Sequence, residues 1–333
     1  MEKNGIILFS METDRIPPGA AERIGEAGGS RDLLVTLDDR IVEENLDRIE
    51  IAFGDVPFHL LARMPRLAWV QLWSAGADRL QQFPELKGLP FILTGTSGMH
   101  GQQLAEHTFG LILAWNRSFP RVFEARRRKE WLRINDSETA ILEGKIMLIL
   151  GYGRIGKMMA RIAAAFNMKV TGLRRNPERS EASAEGSGKD PLPGVRVAGM
   201  EKLPELLGEA DLVVNILPAT PETRHIFGAA EFGLMKQGSL YVNVGRGSTT
   251  DEAALTEALK TRWIAGALLD VTETEPLPPS SPLWDLDNVI ISGHYAGMHP
   301  CYGKLALEIA LENLGRYVKG EELHNIVDKT LGY

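Results

Sequence analysis

Three polar clusters in the last third of the sequence each follow a short apolar run: Val244-Gly245-Arg246-Gly247, Leu269-Asp270-Val271-Thr272-Glu273-Thr274-Glu275-Pro276 and Gly293-His294-Tyr295-Ala296-Gly297. If the runs are strands of a parallel sheet, the clusters lie at strand carboxyl ends, where such sheets bind ligands. An arginine, a glutamate and a histidine delivered there suit the reduction of a keto acid. The guanidinium would bind the carboxylate, the imidazolium would donate a proton to the carbonyl oxygen, and the glutamate would keep the imidazole charged. Singly, each residue is more simply read as solvated surface. The other histidines, His59, His100, His107, His225, His299 and His324, read as structural, with His100 at a domain junction where it could face a cleft.

A second constellation is the turn Gly151-Tyr152-Gly153-Arg154-Ile155-Gly156. It follows the uncharged run Ile146-Met147-Leu148-Ile149-Leu150 and opens a helical pattern with Ile155, Met158, Met159, Ile162 and Phe166 on one face. Strand, glycine turn and helix in that order form a dinucleotide cradle. Gly151 permits the tight turn, Gly153 lets a pyrophosphate approach the backbone, and Gly156 lets the helix pack on the strand. The helix N-terminus then offers N–H groups and partial positive charge to the phosphates. An NAD site places an acidic residue about 20 residues further on, for the ribose 2'-hydroxyl. This chain has Leu173-Arg174-Arg175-Asn176 there. Guanidinium groups cannot accept that hydrogen bond but match a 2'-phosphate bidentately, so the sequence predicts NADP(H) in preference to NAD(H), with NAD(H) as the second choice.

Apolar runs alternate with helical patterns along the chain, the sequence form of parallel sheets with crossover helices. Candidate strands are 5–10, 33–37, 49–53, 69–73 and 90–94, then 145–150, 168–173, 211–217, 239–244, 264–270 and 288–292. The second set has the six strands of a full dinucleotide-binding sheet. Between the sets, Leu104, Thr108, Leu111, Ile112 and Trp115 form one helical stripe, and Leu307, Ala310, Leu311, Leu314 and Val318 form another at the end of the chain. The expected fold is α/β: two Rossmann-like or flavodoxin-like parallel-sheet domains with a cleft between them. Residues 1–100 with 299–333 would form a discontinuous substrate-binding domain, and 101–298 the dinucleotide-binding domain. Residues 180–199, rich in Ser, Glu, Gly and Pro, read as a mobile surface insertion, and 126–129, four basic residues flanked by glutamates, as a solvated helix face.

The 333 residues are 44% hydrophobic and 24% charged, enough for two cores. A net charge of −7 argues against the basic surface that nucleic-acid binding needs. The run Ile6-Ile7-Leu8-Phe9 is too short for a signal segment or a membrane span. A single cysteine, Cys301, forbids an internal disulfide and fits a reducing cytoplasm.

Taken together, these motifs resemble those of the D-2-hydroxyacid dehydrogenase family and are similar to its glyoxylate and hydroxypyruvate reductases. The resemblance spans nearly the whole chain. It includes Gly98 with Ala105-Glu106-His107, Trp131, Leu142-Glu143-Gly144-Lys145, the glycine turn and Leu217-Pro218-Ala219-Thr220-Pro221-Glu222-Thr223. It continues through Arg246-Gly247 with Asp251, Leu269-Asp270, Glu275-Pro276, His294 with Ala296-Gly297, Val327-Asp328 and Gly332-Tyr333. The resemblance implies that Arg246 binds the substrate carboxylate and carbonyl, that His294 is the acid/base, and that Glu275 orients and charges it, Glu273 being the near neighbour. It implies backbone N–H donors at Ala75 and Gly76 for the substrate, and Asp270 as holder of the nicotinamide carboxamide. Leu217, Pro218 and Thr223 would line the adenosine side, Val244 and Gly245 would lie beneath the nicotinamide, and the protein would be a homodimer. Trp73 and Tyr295 are expected to narrow the pocket. Two alternatives stay open: a dehydrogenase of the same fold acting on another small anion such as phosphite, formate or a phosphorylated hydroxy acid, and a dinucleotide-sensing corepressor-like scaffold, which would bind cofactor without turnover.

Overall fold

The computed structural model describes residues 4–12, 16–178 and 192–332. Backbone contacts divide the chain into two compact units, Met1–Met99 with His299–Tyr333, and His100–Met298.

In the first unit the strands are β1 (Ile6–Ser10), then, after helix α1 (Ala20–Ala27), β2 (Asp32–Val35), β3 (Ile49–Gly54), β4 (Trp69–Leu72) and β5 (Ile92–Thr94). They form one parallel sheet in the order β2-β1-β3-β4-β5, the flavodoxin-like order. Central strands of such a sheet are covered on both faces, so they read as unbroken apolar runs. All five β1 residues are buried, Ile6 and Leu8 in one core layer, Ile7 and Phe9 in the other. The second layer also holds Ala306, Leu307, Ala310 and Leu314 from the last helix of the chain. Trp73 is a core residue of this unit, 5% exposed, with its ring 5.5 Å from that of Phe9.

The second unit opens with helices α2 (Gly101–Asn116) and α3 (Phe119–Arg127). There follow β6 (Ile146–Leu150), α4 (Arg154–Ala165), β7 (Lys169–Leu173), β8 (Val195–Ala198), β9 (Leu212–Asn215), β10 (Leu240–Asn243), α5 (Glu252–Lys260), β11 (Gly266–Leu269) and β12 (Val289–Ile291). The helix that returns the chain to the first unit is α6 (Tyr302–Lys319). The seven strands are all parallel, in the order β12-β11-β10-β9-β6-β7-β8. Counted from β6, this is the dinucleotide-binding order 3-2-1-4-5-6 with one more strand at the β12 edge. The order reverses between β6 and β9. Alternate residues of β6 enter different layers, Met147 and Ile149 on one side, Leu148 and Leu150 on the other.

The sheet has one strand more than the sequence reading gave it. Most of the segment read as a surface insertion lies outside the described residues, but Val195–Ala198 pairs with β7 as an edge strand. Four residues with no fully buried side chain give no apolar run to detect. The 126–129 cluster is exposed, with Arg128 3.1 Å from Glu124 one helical turn away.

Candidate active site

β6, β9 and β10 end level with one another, Leu150 beside Asn215 and Asn215 beside Asn243. The chain turns away from all three at the next residue, so three loops leave the sheet at its switch point. Their backbones are in close approach. Gly151 has φ +98, and a Cβ on it would lie 3.0 Å from the Ile216 carbonyl oxygen. A Cβ on Gly245 would come within 2.8 Å of Ile216 Cα. The N–H groups of Gly151 and Tyr152 donate to Leu173 O at 2.9 and 2.8 Å, tying the turn to the end of β7. Gly156 faces Ile149 of β6, where a Cβ would sit at 3.3 Å. Helix α4 begins at Arg154 and Ile155 with Gly153 as its N-cap and no side-chain cap, and a helix N-terminus carries the partial positive charge that suits an anion. This cradle of glycines under a helix N-terminus fits the diphosphate of a dinucleotide. Sequence reasoning missed Tyr152, buried over Gly172 of β7 so closely that a Cβ there would meet its ring at 2.4 Å.

Beyond β7, Arg174 is half-buried, with its backbone N–H on Ala198 O and its guanidinium donating to Pro177 O at 2.7 Å, and Arg175 is exposed. In the β9 loop Leu217 is buried, and Thr223 Oγ1 donates to Pro218 O at 2.6 Å, closing the turn that follows the strand.

The Arg246 loop rests on a buried polar network that the sequence did not announce. Asn215 Nδ2 donates to Tyr241 Oη and Thr249 Oγ1, both at 2.9 Å, while its Oδ1 accepts from Leu217 N–H. Asn243 does the same for the next loop: Nδ2 donates to Thr250 Oγ1 and Arg246 O, and Oδ1 accepts from Gly245 N–H at 3.0 Å. Burial pushes the Tyr241 phenol up to about 12, so it stays a neutral partner. The two strands each ending in Val-Asn, at Asn215 and Asn243, were the available signal. Val244 is buried and Arg246 half-buried, its guanidinium donating to Gly245 O at 2.8 Å. Gly247 lies against the next loop, where a Cβ would fall 1.9 Å from Thr272 O.

Glu275 and His294 meet. His294 Nδ1 is 2.6 Å from Glu275 Oε2, and Glu275 Oε1 accepts from Thr272 N–H at 3.1 Å. Glu273 pairs instead with Nε2 of His225. Asp270, 3% exposed, anchors the histidine loop: its carbonyl accepts from His294 N–H, and its carboxylate accepts from Ser292 Oγ, Tyr295 N–H and Ala296 N–H. Tyr295 is 52% exposed. His100 is buried in this unit; burial, and secondarily the charge of Arg246, hold its pKa below the ordinary value. In the first unit, Ala75 and Gly76 are half-buried just past the carboxyl end of β4, where Ser74 Oγ donates to Gly76 O. Among the described residues no cluster of histidine, cysteine or carboxylates could hold a metal ion, and no helix is long and apolar enough to cross a membrane.

A doubly wound parallel sheet with this glycine cradle at its switch point is the architecture of a dinucleotide-binding domain. Residues 109–296 match the profile of the D-isomer specific 2-hydroxyacid dehydrogenase NAD binding domain. The chain is 34% identical over 276 residues to the glyoxylate reductase of Aeropyrum pernix, covering 81% of this chain and 79% of that one. Among solved structures, a D-isomer specific 2-hydroxyacid dehydrogenase from Xanthobacter autotrophicus in complex with NADPH and MES is 30% identical. It covers 99% of this chain and all of its own, with a TM-score of 0.82. The NADPH-dependent glyoxylate/hydroxypyruvate reductase of Sinorhizobium meliloti, in complex with NADP and sulfate, has a TM-score of 0.81 at 27% identity, covering 99% of this chain and 100% of that one. The chain belongs to the D-isomer-specific 2-hydroxyacid dehydrogenase family.

Proposed function

We propose that the protein reduces a small 2-keto acid of the glyoxylate, hydroxypyruvate or pyruvate type to its D-2-hydroxy acid, with NADP(H) preferred to NAD(H). The contact of His294 Nδ1 with Glu275 Oε2 carries this reading. It commits the ring nitrogen nearer the backbone and leaves Nε2, at the tip, to exchange a proton with a substrate oxygen. A reduced nicotinamide, when bound, supplies the hydride for C2. Arg246 binds the carboxylate and stabilises the negative charge that grows on the carbonyl oxygen, with backbone N–H groups of Ala75 and Gly76 as further carboxylate donors.

Gly151, Gly153, Arg154, Ile155 and Gly156 hold the diphosphate, and Leu217, Pro218 and Thr223 line the adenosine side. Val244 and Gly245 underlie the nicotinamide, and Asp270 takes its carboxamide. The Asp270 carboxylate accepts three bonds within the chain, and an ionised carboxylate has about four acceptor sites. Arg174 and Arg175 bind the 2'-phosphate, a reading supported by the NADPH and NADP complexes of the two related structures. The working protein is a cytoplasmic homodimer. The exposed apolar side chains of Phe119, Phe123, Trp131 and Ile141, with Trp131 91% exposed, support burial against a second copy.

The test is cofactor oxidation with NADPH or NADH across glyoxylate, hydroxypyruvate, pyruvate, longer 2-keto acids and a blank. Expected is turnover of the short acids, with kcat/KM at least about tenfold higher for NADPH, a margin that Arg174→Ala with Arg175→Ala removes. Negligible turnover of every keto acid overturns the reading; an NADH preference overturns the cofactor assignment alone. Light scattering at twice the chain mass, lost in Trp131→Asp, tests the dimer.

A further inference from the structure

We propose that His107 and Ser292 are positioning residues for this reaction: a hydrogen-bonded line from helix α2 through Ser292 to Asp270 fixes the loop that presents His294. The inference rests on the reading of His294 as the acid/base. His107 read as structural from sequence, and its position in the fold assigns it more.

His294 has φ +56, a left-handed conformation that a side-chain-bearing residue keeps only when its surroundings hold it. The holder is Asp270. Through its carbonyl and its carboxylate it binds Ser292, His294, Tyr295 and Ala296, four residues of one short loop. The carboxylate is itself fixed from the side. Ser292 Oγ donates to Asp270 Oδ1 at 2.6 Å, which spends the hydroxyl proton. The contact of Ser292 Oγ with His107 Nε2 at 2.9 Å therefore has the imidazole as donor. A neutral ring with its proton on Nε2 satisfies this, and burial holds the His107 pKa below the ordinary 6.5 despite the Asp270 carboxylate 3.6 Å away.

The helix grips the loop at two further points. The His107 ring lies edge-on to that of Tyr295, with centroids 5.0 Å apart and planes at 86°. Gln103, one turn earlier on the same face, donates to Gly297 O at 3.3 Å. A helix is a stiff support, so anchoring both ends of the loop to α2 limits the swing of His294. General acid catalysis is sensitive to that swing, because an error of about 1 Å in reacting geometry can cost about a hundredfold in rate.

The experiment compares His107→Phe, His107→Gln, Ser292→Ala and the His107→Phe/Ser292→Ala double variant in the full-length enzyme, with His294→Asn as control. The 2-keto acid with the highest kcat/KM is the substrate. Phenylalanine keeps the ring against Tyr295 but cannot donate, whereas the glutamine amide can donate to Ser292. Expected are a fall in kcat of about tenfold or more for His107→Phe, a cofactor Kd raised by no more than about threefold, and recovery of kcat to within about threefold of the parent in His107→Gln. Ser292→Ala loses as much, and the double variant loses no more than either single one, because both break the same line. Full kcat in His107→Phe, equal losses in the phenylalanine and glutamine variants, or a loss confined to cofactor Kd overturns the inference. If His107→Phe does not fold, Ser292→Ala decides by the same kcat and Kd criteria. Undiminished turnover in His294→Asn would instead sink the acid/base reading, whatever the His107 variants do.

Discussion

Among its described residues the second unit holds two histidine–glutamate pairs that differ in ways sequence spacing does not reveal. His294 with Glu275 and His225 with Glu273 share an adjacent stretch of loop, and both histidines have positive φ, +56 and +48. In the first pair the carboxylate contacts Nδ1, and on the proposed reading Nε2 at the ring tip exchanges the proton. In the second it holds Nε2, so the tip itself is tied down. Glu273 is also shared with Arg224 at 3.5 Å, while His225 N–H is bound to Ser248 O. His294 stands just past β12, at a strand carboxyl end, and His225 within the 217–227 loop. On the proposed reading, a histidine beside a carboxylate is not enough to make an acid/base; the nitrogen outside the contact and the element that carries it distinguish the two pairs.

The largest contrast is expected from the histidines themselves. His294→Asn should lower kcat by about a thousandfold while leaving cofactor affinity intact, and His225→Asn should stay within about threefold. Steady-state kinetics with a cofactor titration checks both, and equal losses would erase the distinction. Next come the glutamates: Glu275→Gln should cost about a hundredfold in kcat and Glu273→Gln only a few-fold, so reversed magnitudes would make the notional partner the working one. Gly247→Ala strikes what both pairs share, since its methyl group would run into Thr272 O, on the loop that supplies both glutamates. We expect a stability loss of about 1–3 kcal/mol in denaturant unfolding, and an unchanged midpoint would show that the loop yields freely.

The smallest effect concerns pH. His100 and His107 both titrate below the ordinary 6.5 because burial disfavours their charged forms. The unfolded chain therefore binds more protons than the folded one below pH 6.5, and stability, level above that pH, falls as the pH drops through their lowered folded-state values. His107→Gln should make this slope shallower, as measured by unfolding midpoints from pH 7 to 5. An identical slope would contradict the assigned burial effect.

Sequence revealed the parts of this molecule that carry their signal locally. Buried strands such as Ile146–Leu150 stand out because a strand covered on both faces needs apolar residues throughout. The glycine turn stands out because the close approach of Gly151 to Ile216 admits no Cβ without strain. Edge strand β8 was missed because nothing requires Val195–Ala198 to be uniformly apolar. Glu275 is distinguished from Glu273 in the sequence only by the family-like pair Glu275-Pro276, while the contact with His294 exists only in the fold. The supports were hidden for another reason: His107 and Ser292 are 185 positions apart, and Asn215 reaches Tyr241 and Thr249 only once β9 and β10 are paired. Polar residues joined by tertiary folding leave no periodicity to read.

The central claim is that Glu275 acts through His294, and a double-variant cycle in single-turnover hydride transfer at saturating cofactor tests it most directly. If the claim is right, Glu275→Gln slows the parent enzyme about a hundredfold and has no further effect in the His294→Asn background. If the two losses multiply, Glu275 and His294 work independently and the account is wrong.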